Sequence, residues 1–479
     1  MDCRDDNFTS FVVKVERLVQ DFSRLNFLID PEDEEVNPAI RISKRAGEIV
    51  GDICNALEKQ CVMRNAQCVM GSDDFNYELE ITNYELSTLC VRLVFCLYAE
   101  DSAIFERGQF TDYIRNATDR RAALIELFEI LDTPPELRPN DLRAELADFP
   151  YVNGDLFKDA AESVPGLNAA VNHYILAAAE FDWIDVSPPI FGAMFESILN
   201  PDSRRKGGMH YTSIDNIHRV IDPLFLDDLH SEFHSARRKS KSNRRHALEA
   251  FQLKLASLRF FDPACGSGNF LTETYIAIRT LENETIGALR DLGVQCEVLV
   301  SIENFYGIEI NDFAVAVART ALWIAENQML KRTASILDKK LEFLPLKSAA
   351  HIECGNALTR NWNEIVPDGV DYIISNPPFV GTKYQTAAQK ADILAVCKEL
   401  KPLDFVTGWF KKAADFMIGT QTRAAFVSTN SITQGEQVAP LWKVLDAHID
   451  FAYRTFKWQS DSEDPAAVHC VIIGFANFH

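Results

Sequence analysis

Residues 374–381, "ISNPPFVG", end a strand-like run, "DYIIS", with an asparagine and two prolines. Proline neither donates to a sheet ladder nor continues a helix, so this exit from a strand needs a chemical reason. An exocyclic aromatic amine supplies one. Its lone pair is delocalised into the ring, and acceptors set against its two N–H bonds favour a pyramidal nitrogen that can attack in line. Asn376 offers its side-chain oxygen and Pro377 its carbonyl. Pro377 and Pro378 fix φ and add no competing N–H, so the loop is stiff. Phe379 offers a face on which a base can stack.

A group donor is implied by "FFDPACGSGNFL" (260–271), a strand that runs through a glycine-rich turn into a helix. Gly266 and Gly268 permit a tight turn and close approach of a ligand to the backbone, with Pro263, Ala264 and Asn269 around them. No Gly-Lys-Ser/Thr follows, so this is not a phosphate loop of the Walker kind. Asp262 at the strand tip repels phosphate and suits a cation. In "FYGIEIN" (305–311), Glu309 ends a second strand where an acid accepts from ribose hydroxyls, and Ile310 follows it. In "ECGNAL" (353–358), Asn356 reads either as an ordinary turn residue or, with Ala357, as an amide set against an adenine edge. Upstream, "KGGMHYTS" (206–213) reads either as a helix cap at Thr212 or Ser213, or as a loop whose Tyr211 and Thr212 reach a carboxylate. Together the motifs ask for a nucleoside with a positive end and no phosphate, a description that S-adenosylmethionine fits better than NAD.

The framework for these loops is legible after about residue 250. Short apolar runs at 258–262, 304–310, 350–354, 371–375 and 423–428 alternate with helical stretches. Two more, 449–456 and 468–475, are joined by a polar connection and read as an antiparallel hairpin. The expected fold class is α/β, a Rossmann-like sheet of seven strands ending in that hairpin and preceded by an all-α domain. From about 8 to 175 the pattern is helical, as in Phe11, Val12, Val15, Leu18, Val19 and Phe22. The boundaries are 1–175 for the helical part, 176–250 for a linker and first helices with the HYT segment, and 251–479 for the catalytic domain.

With 479 residues, 47% of them hydrophobic, the chain is globular and too long for one core. Its net charge of −22 excludes a surface that binds nucleic acid everywhere. The charge is uneven: residues 1–175 hold 33 acids and 17 bases (17 − 33 = −16), and 176–479 hold 37 and 31 (31 − 37 = −6), which leaves room for a basic cleft. The basic stretch "ARRKSKSNRRH" (236–246) reads as a solvated face or as a phosphate contact. Eleven cysteines without paired spacing point to reduced thiols and no metal site. The acidic N-terminus lacks a signal-peptide pattern, and "LCVRLVFCLYA" (89–99) is short and contains Arg92, so a cytoplasmic protein without a membrane span is expected.

These motifs in this order resemble the gamma arrangement of amino-methylating DNA methyltransferases, class I enzymes that use S-adenosylmethionine. "IFGAMFESILNPDSRRKGGMHYTS", "FYGIEINDFAVAVARTALWIAENQM", "NPPFVGTKYQTAAQKADI" and "AFVSTNSITQGEQVAPLW" are similar to the methyltransferase region of MmeI-like fused restriction-modification enzymes. "LSTLCVRLVFCLYAEDSAIFE" (86–106) resembles the helical spacer of that family. The resemblance implies methylation of adenine N6 in double-stranded DNA within a restriction-modification or related defence system. It implies cofactor contacts at Thr212, Asp262, Gly266, Glu309 and Asn356, and a catalytic loop at Asn376, Pro377, Pro378 and Phe379. An aromatic of the last hairpin, Phe456 or Trp458, would pack on the flipped base. Fused members begin with a nuclease and carry a target-recognition domain after the hairpin. Here the chain starts in the spacer and stops at "VIIGFANFH", so the expectations are no DNA cleavage and either a truncated product or a separate target-recognition subunit. Cytosine N4 shares the amine chemistry, whereas C5 methylation needs a cysteine in a Pro-Cys loop, and Cys265 reads as packing. Methylation of a protein glutamine or of RNA, and a non-catalytic scaffold, stand as alternatives.

Overall fold

A computed structural model describes residues 38–70, 83–152, 156–159, 164–184, 186, 188, 213–338, 350–457 and 469–478. Tyr211, Thr212 and Trp458 lie outside the described residues, as does the helical pattern of residues 11–22.

The first part is helical: α1 (Pro38–Met70), α2 (Asn83–Asp101), α3 (Gln109–Asn116), α4 (Arg120–Asp132), α5 (Ala144–Ala147) and α6 (Ala169–Ala178). Asp119 caps α4 by accepting the Ala122 N–H at 3.1 Å, and the helix then buries Leu124, Leu127, Phe128 and Leu131 at helical spacing. α2 is buried along most of its length because its apolar run is wrapped by the other helices. Arg92, its one buried charge, donates Nε to the Leu156 carbonyl at 2.6 Å and lies 5.5 Å from the Phe128 ring centre. No described helix is long and apolar enough to cross a membrane.

The helical core continues past residue 175 to Trp183 and Val186, and includes Phe313, Val317, Ala321 and Ile324 from the second part. Phe95 stacks on Trp323 with ring centres 4.6 Å apart. The helical part is therefore packed onto one helix of the sheet that follows it.

That sheet has seven strands: β1 (Phe260–Asp262), β2 (Phe305–Glu309), β3 (His351–Cys354), β4 (Tyr372–Ser375), β5 (Arg423–Thr429), β6 (His448–Lys457) and β7 (His469–Ala476). Their spatial order is β3-β2-β1-β4-β5-β7-β6. The first five are parallel, while β7 runs antiparallel to both β5 and β6. This is the expected α/β architecture with its terminal hairpin, and β7 is inserted between β5 and β6.

Period-two alternation feeds two cores. Phe260, Ile374, Ala425, Val427 and Ile472 face a layer made by α7 (Ile214–Ile221), α8 (Asp227–Arg238), α9 (Lys241–Ser257), α10 (Asn269–Arg290) and α11 (Asp312–Leu337). Phe261, Ile373, Phe426 and Ile473 face the other layer, of α12 (Trp362–Ile365), α13 (Ala387–Val396), α14 (Thr407–Phe416) and α15 (Val438–Val444). The basic stretch at 236–246 forms the exposed corner between α8 and α9.

Candidate active site

Strand order reverses between β1 and β4, and sheets of this kind take ligands at the carboxyl ends of the strands flanking such a reversal. The glycine turn follows β1. Gly268 has φ +84°, and a Cβ there would stand 2.8 Å from the Ala318 Cβ of α11, so only glycine lets the turn pack on that helix. Gly266 has φ +53° and open space where a side chain would stand. Its N–H donates to Glu309 Oε2 at 3.0 Å, and Glu309 Oε1 accepts the Asn311 N–H at 2.9 Å. The Cys265 N–H reaches the Ile308 carbonyl at 3.1 Å, and Trp409 Nε1 donates to the Pro263 carbonyl at 3.1 Å. Cys265 is buried against Gly307, and burial holds its thiol well above the ordinary range, which is a packing role.

Asp262, the expected cofactor contact at the strand tip, is a buried carboxyl engaged by its neighbours. It is 1% exposed, and its Oδ1 accepts the Ala264 N–H at 3.0 Å and the Ser375 hydroxyl at 2.6 Å. Burial pushes its carboxyl up to about 7, the bonds from Ser375 and Ala264 oppose that, and the charge of Glu309 adds to it. The carboxyl group thus ties the end of β1 to the end of β4.

Ile310 projects beyond β2 with 71% of its surface exposed. Asn269, which opens α10, is 7% exposed, and its buried Oδ1 has no hydrogen-bond partner among the described residues. The Asn356 amide is engaged within the protein: Oδ1 accepts the Leu358 N–H at 3.0 Å and Nδ2 donates to Asp392 of α13 at 2.8 Å. That pairing ties the turn after β3 to α13. The Ala357 carbonyl beneath accepts from Trp362 Nε1 at 2.9 Å and Lys412 Nζ at 2.7 Å. Burial lowers Lys412 to about 8.

After β4, Asn376 is half-buried, Pro377 buried and Pro378 exposed, while Phe379 packs between both cores. The loop is then gripped from behind. Asp404, 5% exposed, accepts the Val380 N–H at 3.0 Å and the Val406 N–H at 3.2 Å through the same oxygen. The Val380 carbonyl accepts from the Phe405 N–H and from Gln385 Nε2, each at 3.0 Å.

Ser213 caps α7, with the Asn216 N–H 3.4 Å from its hydroxyl. His218 on that helix bridges Asp222 at 2.7 Å and Glu273 of α10 at 3.2 Å. The next residue, Arg219, lies 5.0 Å from the ring centre of Phe456 on β6, so this candidate base-stacking ring is packed against a guanidinium. Among the described residues no cluster of three or more His, Cys, Asp or Glu could hold a metal ion.

The structure therefore brings the glycine turn, Glu309 and the Asn-Pro-Pro-Phe loop to one edge of the sheet. Sequence reasoning missed Ser375, Asp392, Asp404, Trp409 and Lys412, which carry no motif and act only through neighbours distant along the chain.

Residues 236–479 match the family described as MmeI, DNA-methyltransferase domain, and residues 84–157 match MmeI, helicase spacer domain. The chain is 39% identical over 412 residues to DNA methyltransferase A of Bacillus subtilis (strain 168), covering 82% of this chain and 46% of that protein. It is also similar to the solved structure of the Type IIL restriction-modification enzyme MmeI in complex with DNA, with a TM-score of 0.75 and 38% identity, over 91% of this chain and 57% of that one. The chain spans about half the length of these relatives. On the strength of a family match that covers half its length and a fold shared at that level of identity, the chain belongs to the MmeI DNA-methyltransferase family.

Proposed function

We propose that the chain transfers the methyl group of S-adenosylmethionine to adenine N6 in double-stranded DNA, as the modification part of a cytoplasmic restriction-modification or related defence system. The observation that carries this reading is the union of the glycine turn after β1 with Asn376–Phe379 after β4, tied by the Ser375–Asp262 bond.

The residues present suit the cofactor. Open space at Gly266, the carboxylate of Glu309, the exposed Ile310 and the Asn269 oxygen, unpartnered among the described residues, favour a ribose, an apolar ring and donors, and they disfavour a phosphate. Asp262, Pro263, Ala264, Gly268, Asn356 and Ala357 complete the proposed cradle. When bound, S-adenosylmethionine supplies an electrophilic methyl group on a cationic sulfur.

The chain's own part is to hold the amine. Asn376 Oδ1 and the Pro377 carbonyl accept its two N–H bonds and so localise the lone pair on nitrogen. Phe379, wedged between two cores, gives the base a fixed face, and the base must leave the duplex to reach it.

The test is incubation with methyl-labelled S-adenosylmethionine and unmethylated genomic DNA, followed by nucleoside analysis. Label in N6-methyladenine is the expected result. Label in N4-methylcytosine moves the reaction to the other exocyclic amine, and label confined to protein or RNA overturns the DNA reading.

A further inference from the structure

Beyond Phe379 the chain makes a tightly restrained excursion before α13. Thr382 Oγ1 donates to the carbonyls of Pro402 at 2.9 Å and Leu403 at 3.0 Å. The Tyr384 N–H reaches the Gly381 carbonyl at 2.8 Å, and the buried Gln385 ties Val380 to Leu403. Thr386 and Gln389 then cap α13 reciprocally. Between these anchors stand Lys383, exposed, and Tyr384, 84% exposed, the highest value among the large apolar side chains described. An aromatic ring on a pinned backbone loses little freedom when it docks.

The charge around it is reversed relative to the chain. Residues 381–401 hold four lysines, all exposed (Lys383, Lys390, Lys398 and Lys401), against two acids, Asp392 and Glu399, in a protein of net charge −22. Asp392 is already engaged by Asn356. A basic patch with a rigid aromatic, continuous with the loop that takes the base, matches a polyanion that carries stacked rings.

We propose that residues 380–401 form the DNA-contacting flank of the site, with Tyr384 packing its ring on a base beside the target and Lys383 meeting a neighbouring phosphate. The inference rests on the DNA-methyltransferase reading and deepens it.

Methyl incorporation into unmethylated genomic DNA, measured as kcat/KM for DNA at several salt concentrations with the full chain, tests it. The variants are Lys383→Gln, Tyr384→Phe and Tyr384→Ala, with Ile418→Ala (62% exposed) as a surface control. Tyr384→Ala should fall about tenfold while Tyr384→Phe stays near wild type. Lys383→Gln should flatten the log–log salt slope by about 1. Affinity for S-adenosylmethionine, measured by calorimetry, should be unchanged throughout. Tyr384→Ala and Lys383→Gln matching wild type overturns the inference, and so does Tyr384→Phe falling as far as Tyr384→Ala. A wild-type chain that binds S-adenosylmethionine but methylates no DNA defeats the DNA reading itself, a pattern distinct from either.

Discussion

Ser375 Oγ donates a 2.6 Å hydrogen bond to Asp262 Oδ1 across 113 residues of chain. Both groups are buried, at 0% and 1% exposure, so water does not compete for the bond. Its two ends are the last residue of β4, next to Asn376, and the last residue of β1, where the glycine turn begins. A displacement of the turn is therefore felt at the asparagine through one contact.

The Asp262 carboxyl also makes a stability prediction. Its ordinary value is near 3.8 and burial lifts it to about 7. Between those values the unfolded chain has lost the proton and the folded chain keeps it, so stability falls as pH rises from about 4 to about 7 and is level above. Asp262→Asn retains an oxygen for Ala264 and Ser375 while removing the buried charge. It should melt at or above wild type at pH 8, by on the order of a few kcal/mol, and match it near pH 4. Binding of S-adenosylmethionine should weaken about tenfold. Thermal melts and calorimetry decide it, and a variant that melts below wild type at pH 8 contradicts the account.

The two glycines of the turn should fail differently. Gly268→Ala places a Cβ 3.0 Å from the backbone of Ala318 and 2.8 Å from its Cβ, at φ +84°, so strain and overlap add and should cost about 2–4 kcal/mol. Pairing it with Ala318→Gly removes the overlap and should return part of that loss. Gly266→Ala meets only strain, about 1 kcal/mol, and should fold, yet its methyl fills space proposed for the cofactor. Chemical denaturation beside cofactor titration separates the two. Equal stability losses in both variants would refute the distinction.

How much of this was legible in the sequence follows from the range of each interaction. All seven strands lie within two residues of their expected limits, because β-branched and aromatic runs bounded by turns report locally. The glycine turn, Glu309 and Asn376–Phe379 met at one edge because each motif sits at a strand's carboxyl end. Asp262 and Asn356 were read by residue type as facing a ligand. What residue type did not show is that they are also bonded to Ser375 and Asp392, partners 113 and 36 residues away that no local pattern announces. Asp404 and Lys412 were invisible for the same reason: one buried carboxylate in the loop before α14, or one half-buried amine within that helix, has no signature until the chain folds.

His218 gives a second dependence on pH, of opposite sign. Its bond to Glu273 is the main cause that lifts it to about 9, with Asp222 assisting and burial opposing. Because the folded value exceeds the unfolded one, the stabilisation is fully present below about 6.5 and is lost as pH rises through about 9. Its side chain is 34% exposed, so solvent screening reduces the effect to roughly 1–2 kcal/mol. Wild type should melt above His218→Gln at pH 6, and the two should converge by pH 10. A gap that persists unchanged at pH 10 would show that packing, not charge, joins α7 to α10.

Asp404 should act on turnover without touching cofactor or base. One of its oxygens serves both the Val380 and the Val406 N–H, its own N–H donates to Gln437 Oε1 at 3.0 Å, and the Val380 carbonyl is held by Phe405 and Gln385. The proposed catalytic loop is thereby clamped on its far side, as Ser375 clamps it on the near side. Asp404→Ala leaves two buried N–H groups without an acceptor, at about 1–3 kcal/mol each, and the loop relaxes away from the amine. Asp404→Asn keeps an acceptor oxygen, and burial already disfavours the charge it gives up. The expected pattern is a kcat at least about tenfold lower in Asp404→Ala, within about threefold of wild type in Asp404→Asn, and an unchanged affinity for S-adenosylmethionine in both. Steady-state methylation with calorimetric cofactor binding reads all three. Loss of cofactor affinity in step with kcat would mean that Asp404 supports the whole domain, whereas a loss confined to kcat and restored by asparagine identifies it as the residue that positions the loop.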